Sequence, residues 1–229
     1  IPEHQMNIPN NQGFLPNFNT MVGSPYLDDL YVMDHLGPLI DHYLEKIKQV
    51  LDNFLTVHPR VIAIRVDLRF PAGYVGENEN YITKFIESFK SKVNAAQNRS
   101  RREGKAVHAT KVGYIWVKEY GGSGGFHYHL VLLLNGDAFY QLGAFDIERE
   151  NLYARIVEAW ASALGVHPVI GRTGVHVPEN AIYRLRGEGV GHIYKELFFR
   201  LSYFAKQETK KYQCGRNFGS NQLFVGGQM

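Results

Sequence analysis

The stretch of sequence that decides the fold covers residues 117–134 and reads VKEYGGSGGFHYHLVLLL. Two apolar segments flank a glycine-rich centre, which is the pattern of a β-hairpin. Because successive strand residues point to opposite faces, His127 and His129 share one face of the second strand. With residues 121–125 as the loop, Glu119 lies opposite His127, on the same face and with its Cβ atom about 5 Å away.

The hairpin therefore brings two imidazoles and one carboxylate together without any long-range assumption. Such a set suits a divalent metal ion that keeps coordination positions open for a substrate. The alternative is a pair of hydrogen-bonded structural histidines, since a His-x-His pattern alone is a weak signal. Residues 130–134 are all apolar, so the strand reads as central, where polar groups are costly unless paired or coordinated. We therefore predict a metal site at Glu119, His127 and His129.

The composition indicates one sizeable core in a chain of 229 residues, of which 45% are hydrophobic. The net charge of +3 and the pI of about 8.8 are mildly basic and are not typical of a sequence-blind DNA coat. Cys214 is the single cysteine, so the sequence offers neither a disulfide framework nor a cysteine zinc site. No apolar run is long enough for a membrane span, and the first residues lack the order of a signal peptide. We expect a cytoplasmic protein that does not enter a membrane.

Periodicity along the rest of the chain predicts an α+β fold, with a central antiparallel β-sheet flanked by helices. Residues 1–36 contain four prolines and little periodicity, which predicts an irregular N-terminal arm before a domain at 37–229. Helices are predicted over 38–57, 80–96, 148–164 and 190–211, and strands over 61–70, 111–120 and 174–178, in addition to the histidine strand.

Two basic segments have a structural and a functional interpretation. Arg65, Asp67 and Arg69 share one face of the strand at 61–70, which is either a solvated face or a surface that contacts nucleic-acid phosphates. The segment 98–105, after the second helix, is usually a solvated loop, but beside a metal site it becomes a candidate patch for a nucleic-acid backbone. Its basic residues are Arg99, Arg101, Arg102 and Lys105.

The last predicted helix carries a candidate nucleophile. Tyr203, Lys206 and Lys210 are spaced to lie along one helical face. A tyrosine is a poor nucleophile at its ordinary pKa of about 10, but a neighbouring cation or a metal-polarised phosphate makes it competent. Lys206, one turn from Tyr203, is placed to stabilise a phenolate or the charge that develops on a phosphate.

This constellation resembles the HUH endonucleases, a family of rolling-circle replication initiators and relaxases. Their defining pieces are a His-hydrophobic-His strand, a polar third ligand on the neighbouring strand and a Tyr-x-x-Lys helix. Within that family the sequence looks like the filamentous-phage-type initiators and the YagK/YfjJ C-terminal domain, over roughly residues 38–220. Two departures are Tyr128 at the middle position of His-x-His and a single fitting tyrosine. Tyr194 and Tyr212 each lie nine residues from Tyr203, which suits packing or surface residues.

The resemblance implies a Rep-like variant of the RRM-like fold and metal-dependent nicking and rejoining of single-stranded DNA. Tyr203 and Lys206 would be catalytic, and Glu119, His127 and His129 would bind Mg²⁺ or Mn²⁺. Cleavage would leave a 5′-phosphotyrosine and a free 3′-hydroxyl that primes rolling-circle replication of a phage or another mobile element. The implied partners are an origin strand, single or folded into a hairpin, and a helicase and polymerase of the bacterial host. The implied DNA-binding residues are Arg65, Arg69, Arg99, Arg101, Arg102, Lys105 and Lys210.

Other classes of protein fit less well. A cupin would place a glutamate where Leu133 and Leu134 stand, and the two-histidine phosphoesterases need two His-x-Thr/Ser repeats that are absent from the sequence. A non-catalytic module that binds an origin or single-stranded DNA on the same fold is the alternative, because fold does not fix function.

Overall fold

The computed structural model of the chain describes residues 26–74, 80–121, 125–187, 190–208, 210 and 215–224. Its α-helices in this part of the chain are α1 (Asp41–Val57), α2 (Tyr81–Arg102), α3 (Leu152–Leu164), α4 (Pro168–Arg172) and α5 (His192–Ser202). The strands are β1 (Tyr26–Leu27), β2 (Leu30–Tyr31), β3 (Arg60–Leu68), β4 (Gly113–Tyr120), β5 (Phe126–Asn135), β6 (Val175–His176), β7 (Ile182–Arg186) and β8 (Phe218–Ser220). Two 3₁₀ turns cover Asp34–Leu36 and Tyr203–Ala205.

Six of these strands form one antiparallel sheet that does not close into a barrel. Its order is β6-β3-β5-β4-β8, and β7 pairs with the same edge of β3 as β6, further along that strand. Strands β3 and β5 are therefore central, as the apolar run in the histidine strand predicts. The predicted α+β class, with an antiparallel sheet flanked by helices, is confirmed.

Helices cover both faces of the sheet. Helices α2 and α3 pack on the face that carries Leu130 and Leu132, whereas α1 and α5 pack on the face that carries Val131 and Leu133. Strand β3 is consequently buried on both sides along Val61–Leu68. The interpretation of a solvated face is therefore wrong for Arg65 and Asp67, which are buried, whereas Arg69 is exposed.

Helix α2 is longer than its pattern predicts. The apolar stripe ends near Val93, but the helix continues for almost three more turns to Arg102. The basic segment predicted as a loop is therefore mostly helical, since arginine is a good helix former and a cation is favourable near a helix C-terminus.

Helix α5 is shorter than its pattern predicts. It ends at Ser202, whose hydroxyl donates to the Phe199 carbonyl and accepts from the Met33 amide. The chain then passes through the 3₁₀ turn Tyr203–Ala205 and becomes extended at Lys206, where ψ is 125°. The prediction that Tyr203, Lys206 and Lys210 share one face of a continuous helix is wrong, because the helix stops before all three.

Residues 205–207 are held by the segment that precedes α1, which explains this exit from the helix. The Ile40 amide donates to the Ala205 carbonyl at 2.8 Å, and the Gln207 amide donates to the Pro38 carbonyl at 3.0 Å. Leu39 and Lys206 form an antiparallel bridge between these two bonds. We call this pairing the backbone clasp.

The described part of the predicted N-terminal arm packs on the domain. Strands β1 and β2 form a small hairpin, and Leu30, Val32 and Met33 are buried in or beside the α1–α5 cluster. Residues 1–25 lie outside the described part of the chain. Among the described residues, the helices lack the length and apolar character that crossing a membrane requires.

Candidate metal centre

The β4–β5 hairpin places the three predicted ligands together. Glu119 pairs with His127 in the strand register, and the Gly121 amide closes the hairpin by donating to the Gly125 carbonyl at 2.9 Å. The register expected from the loop length is confirmed. Residues 122–124, at the tip of that loop, lie outside the described part of the chain.

The ligand atoms form a compact group. Nε2 of His127 lies 3.1 Å from Nε2 of His129, and Nε2 of His129 lies 3.3 Å from Oε2 of Glu119. One ligand atom from each residue lies within 4.8 Å of the others. Two imidazole nitrogens and a carboxylate oxygen within this distance fit a divalent cation, so the predicted triad is present as a group able to hold one.

Asp67 on β3 holds the inner histidine in place. It stands opposite His129 in the β3–β5 register, and its Oδ1 lies 2.6 Å from Nδ1 of His129. Its other oxygen lies 3.5 Å from Nδ1 of His176 on β6. A hydrogen bond from Nδ1–H to a carboxylate leaves Nε2 with the lone pair and orients the ring for metal ligation. No sequence pattern indicates a role for Asp67 beyond membership of a polar face.

Arg65 lies beside this pair and is buried. Its Nη2 is 3.4 Å from Oδ1 of Asp67 and 3.1 Å from Nδ1 of His129, and its guanidinium packs over the rings of Tyr203 and Phe204. The predicted contact of Arg65 with DNA on an open face does not match this burial. Arg69, at the end of the same strand, is exposed.

Tyr203 enters the centre from the turn after α5. Its hydroxyl donates to Oε2 of Glu119 at 3.2 Å, and its ring lies edge-on to His129 with 5.4 Å between the ring centres. Burial raises the pKa of Tyr203 well above its ordinary value, and the negative charge of Glu119 raises it further. The phenol is therefore neutral in this arrangement and needs additional positive charge to ionise.

Lys210, rather than Lys206, reaches the carboxylate of the triad. Its Nζ donates to Oε1 of Glu119 at 2.7 Å, and both side chains are almost completely buried. Lys206 instead pairs with Glu208 at 3.0 Å. The structure thus separates the two lysines, and the one that the resemblance assigns to catalysis does not contact Tyr203 through a described side-chain hydrogen bond.

The pKa values show how strongly the centre favours a cation. Burial alone raises the pKa of Glu119, but its hydrogen bond with His129 and the charge of Lys210 outweigh burial and hold the pKa at about 2. Burial alone lowers the pKa of His129, but hydrogen bonds to Asp67 and Glu119 outweigh it and raise that pKa. The pKa of His127 is lowered, by burial and then by the charge of His129. The position between Asp67 and Glu119 therefore attracts positive charge.

The predicted basic patch lies at the other end of the sheet. Gln97, near the end of α2, donates to the His108 carbonyl, and Asn135, at the end of β5, donates to the adjacent Ala109 carbonyl. Asn135 is six residues from His129 along an extended strand, which corresponds to about 20 Å. The expectation that segment 98–105 adjoins the metal site is wrong, because α2 carries it away from the triad.

Within that patch, most of the basic side chains have polar partners. Arg99 pairs with Glu150, Lys105 pairs with Glu103 at 2.7 Å, and Arg101 donates to Asn98. Arg102 is exposed. The predicted role of these residues in DNA binding stays a prediction.

Tyr194, on α5, is a packing residue, as predicted. The Tyr194 hydroxyl donates to Oδ1 of Asp52 at 2.6 Å, and its side chain is buried against α1. Tyr212, the second tyrosine considered as a partner nucleophile, lies outside the described residues.

Comparison with known proteins identifies a family that covers most of the chain. Residues 25–221 match the model of the YagK/YfjJ C-terminal domain. The chain belongs to this family. It is 37% identical over 204 residues to the uncharacterized protein YagK of Escherichia coli (strain K12), with 82% of this chain and 95% of that protein covered.

The uncharacterized protein YfjJ of the same strain is 31% identical over 200 residues, which cover 81% of this chain and 96% of that protein. No solved structure matches the chain. The triad, Asp67, Tyr203 and Lys210 all lie inside the region that matches the YagK/YfjJ family model.

Proposed function

We propose that the protein is a metal-dependent endonuclease and strand transferase of the HUH type. It nicks single-stranded DNA through a 5′-phosphotyrosine and thereby initiates rolling-circle replication of a mobile element in a bacterial cell. One observation carries the proposal. Oε2 of Glu119 lies 3.3 Å from the His129 imidazole and 3.2 Å from the Tyr203 hydroxyl, so one atom joins the candidate metal ligands to the candidate nucleophile.

The chemistry divides between the triad and the tyrosine. A divalent ion held by Glu119, His127 and His129 supplies Lewis-acid polarisation of the scissile phosphate. The Tyr203 oxygen forms a bond to phosphorus as the bond from phosphorus to the 3′ oxygen breaks. Tyr203 loses its proton, and the departing 3′ oxygen takes one up to become the hydroxyl that primes synthesis. Because one phosphodiester replaces another, the reverse reaction rejoins the strand.

The surrounding charges support this role for Tyr203. Its raised pKa means that the phenol ionises only when positive charge faces it, which couples nucleophile activation to an assembled centre. The guanidinium of Arg65 lies 5.7 Å from the Tyr203 ring centre and provides part of that charge. Such preorganised charges favour a transition state in which negative charge builds up on the phosphate.

The proposed substrate approaches from the exposed rim of the centre. Arg69 is exposed and the His176 side chain is half exposed there, and the patch around Arg102 provides a second positive region about 20 Å away along the sheet. Phosphate contacts of this kind position a nucleic-acid strand without reading its sequence. A host helicase and polymerase would then extend the free 3′ end.

A selection for covalent adducts tests the proposal without knowledge of the origin. The protein is incubated with Mn²⁺ and a random library of single-stranded oligonucleotides, and complexes that survive denaturation are captured and sequenced. We expect adducts whose attachment maps to Tyr203 by mass spectrometry. Tyr203→Phe should lower adduct formation by at least about 10³-fold, as expected when a nucleophile is removed.

Tyr194→Phe is the matched control. It removes a buried hydroxyl from α5, the helix that precedes Tyr203, together with its hydrogen bond to Asp52, but it leaves the candidate metal centre untouched. Adducts should form normally with this variant. Attachment at another residue, or unchanged cleavage in excess chelator, would refute the proposal. Sequence-selective binding by both the wild type and Tyr203→Phe, with no adduct from either, would instead favour the non-catalytic binding module.

A further inference from the structure

Lys210 is the least expected component of the centre. Its ammonium group is completely buried and donates to Oε1 of Glu119, while the other oxygen of that carboxylate faces His129 and Tyr203. The two oxygens of Glu119 are thus divided between a protein cation on one side and the candidate metal position on the other. A second partner of this kind fixes the orientation of a ligating carboxylate.

The charges of the centre balance before any metal ion is added. The described polar side chains that lie against the triad include Asp67 and Arg65 near Nδ1 of His129, and Tyr203 and Lys210, which donate to Glu119. With Glu119 itself, this group contains two carboxylates and two fixed cations. The formal charges of these four groups cancel.

A divalent ion disturbs that balance. It adds two positive charges to a buried group in which Lys210 already neutralises Glu119, and repulsion between like charges is screened little at buried positions. A phosphodiester at the same place adds a negative charge and therefore offsets part of that excess.

We infer that Lys210 is an internal counterion of Glu119 that weakens binding of a divalent cation on its own and makes it depend on simultaneous binding of a phosphodiester. Lys210 is a positioning residue in this scheme, since it acts through Glu119. The effect on the cation alone is independent of the proposed function, whereas the identity of the anion as a DNA phosphodiester rests on it.

The first experiment measures Mn²⁺ affinity without DNA, by titration calorimetry or by the electron paramagnetic resonance signal of free Mn²⁺. Lys210→Met removes the charge and keeps an unbranched chain of similar length. We expect this variant to bind Mn²⁺ at least about tenfold more tightly, because Glu119 is then neutralised by the ion alone. Lys210→Arg, which keeps the charge, should remain within about threefold of the wild type.

Lys206→Met is the matched control. It removes the same charge from a nearby lysine, but that lysine pairs with Glu208 rather than with the triad. Its Mn²⁺ affinity should change by less than about threefold, since the charge of Lys206 is paired with Glu208 and does not contact the triad. Mn²⁺ binding by Lys210→Met that equals or falls below wild-type binding, in protein with a native circular dichroism spectrum, would overturn the inference.

The second experiment measures the coupling between cation and strand in the Tyr203→Phe background, which prevents cleavage. Mn²⁺ affinity is compared with and without a saturating single-stranded oligonucleotide. Because coupling is reciprocal, oligonucleotide affinity measured with and without Mn²⁺ should change by the same factor, which checks the first result. In the protein that retains Lys210, the oligonucleotide should raise Mn²⁺ affinity by at least about tenfold. In Lys210→Met, this fold-increase should be less than half as large.

These outcomes separate the inference from the proposed function. Tighter Mn²⁺ binding by Lys210→Met, together with the absence of covalent adducts in the wild type, would support the counterion role and reject the nuclease. Adducts at Tyr203 in the wild type, together with unchanged Mn²⁺ affinity in Lys210→Met, would support the nuclease and reject the counterion role. Should Lys210→Met fail to fold, the increase in melting temperature produced by saturating Mn²⁺ is compared between Lys210→Arg and the wild type. Loss of that increase in the charge-conserving variant would contradict the inference.

Discussion

The two faces of the sheet are made by the same strands, yet they have opposite character at one end. On the α2–α3 face, β5 presents Tyr128, Leu130 and Leu132 to an apolar and aromatic cluster. On the α1–α5 face, it presents Val131 and Leu133 and then changes to histidine. The change occurs where α5 has ended and Tyr203 replaces a helical turn above His129.

The difference separates an apolar part of the core from a part that buries ionic groups. Burying an apolar side chain stabilises the fold directly, whereas buried ionic groups must be paired and are seldom better for stability than apolar residues of the same size. Near the triad, Asp67 is paired with Arg65 and Glu119 with Lys210, but this pairing only offsets the cost of burial. Such a cluster is expected at a functional site rather than in a core built for stability alone.

The largest expected effect concerns the apolar face. Leu132→Ala removes a completely buried side chain between α2 and α3, and it should lower the free energy of unfolding by about 2–5 kcal/mol. Mn²⁺ affinity, measured at a temperature where the variant is folded, should not change. Urea denaturation and a metal titration measure the two quantities. A loss of Mn²⁺ affinity in the folded variant would show that the two faces are coupled.

The second prediction uses acid to weaken the polar face. The pKa of Glu119 is depressed from 4.5 to about 2, so its stabilising contribution is complete above pH 4.5 and is lost as the pH falls towards 2. The contribution is at most about 3 kcal/mol, by the linkage between pKa shifts and stability. Urea denaturation in chelator measures the free energy of unfolding at pH 5 and at pH 2.5. Between these two pH values it should decrease less for Glu119→Gln than for the wild type. Equal decreases in the free energy of unfolding for the two proteins would argue against a paired Glu119 carboxylate.

The third prediction concerns the support of the inner histidine. Asp67→Asn keeps the shape of the side chain but weakens the hydrogen bond that orients His129, so Mn²⁺ affinity should fall by about 10- to 100-fold. Asp137→Asn is the control, because it removes a carboxylate that pairs with Arg60 at the opposite end of the sheet. Unchanged Mn²⁺ binding in Asp67→Asn would mean that Asp67 does not serve the metal site.

The smallest expected effect comes from the substitution that is furthest from the candidate metal centre. Arg102→Ala, at the end of α2, should weaken binding of single-stranded oligonucleotides by a few-fold at most, evenly across sequences. It should also reduce the slope of log affinity against log salt by about 0.7, the value for one phosphate contact on a single strand. Filter binding between 50 and 200 mM salt measures the slope. Identical slopes would remove Arg102 from the DNA path.

The sequence predicts the hairpin part of the site well because that part is local. The length of the glycine loop alone sets Glu119 opposite His127, and the apolar run after His129 correctly indicates a central strand. The sheet and its main helices follow from equally local periodicities. Strands β7 and β8 have no predicted counterpart, and the ends of the helices differ because contacts such as that between Ser202 and Met33 come from distant residues.

The remaining parts of the site depend on contacts that no local pattern encodes. Asp67 meets His129 across 62 residues of sequence, and Lys210 meets Glu119 across 91. The alternation of Arg65, Asp67 and Arg69 looks like a solvated face because periodicity reports polarity and not which helix later covers it. Likewise, the spacing of Tyr203 to Lys206 satisfies a helical pattern that the backbone clasp interrupts.

The backbone clasp also limits how the proposed reaction can proceed. Tyr203 lies between the end of α5 and residues 205–207, which pair with residues 38–40. The backbone is therefore held on both sides of Tyr203. A DNA strand attached to the Tyr203 oxygen would therefore stay at a fixed position in the protein. In strand transfer it is then the DNA that must travel, bringing the next 3′ end to a stationary phosphotyrosine.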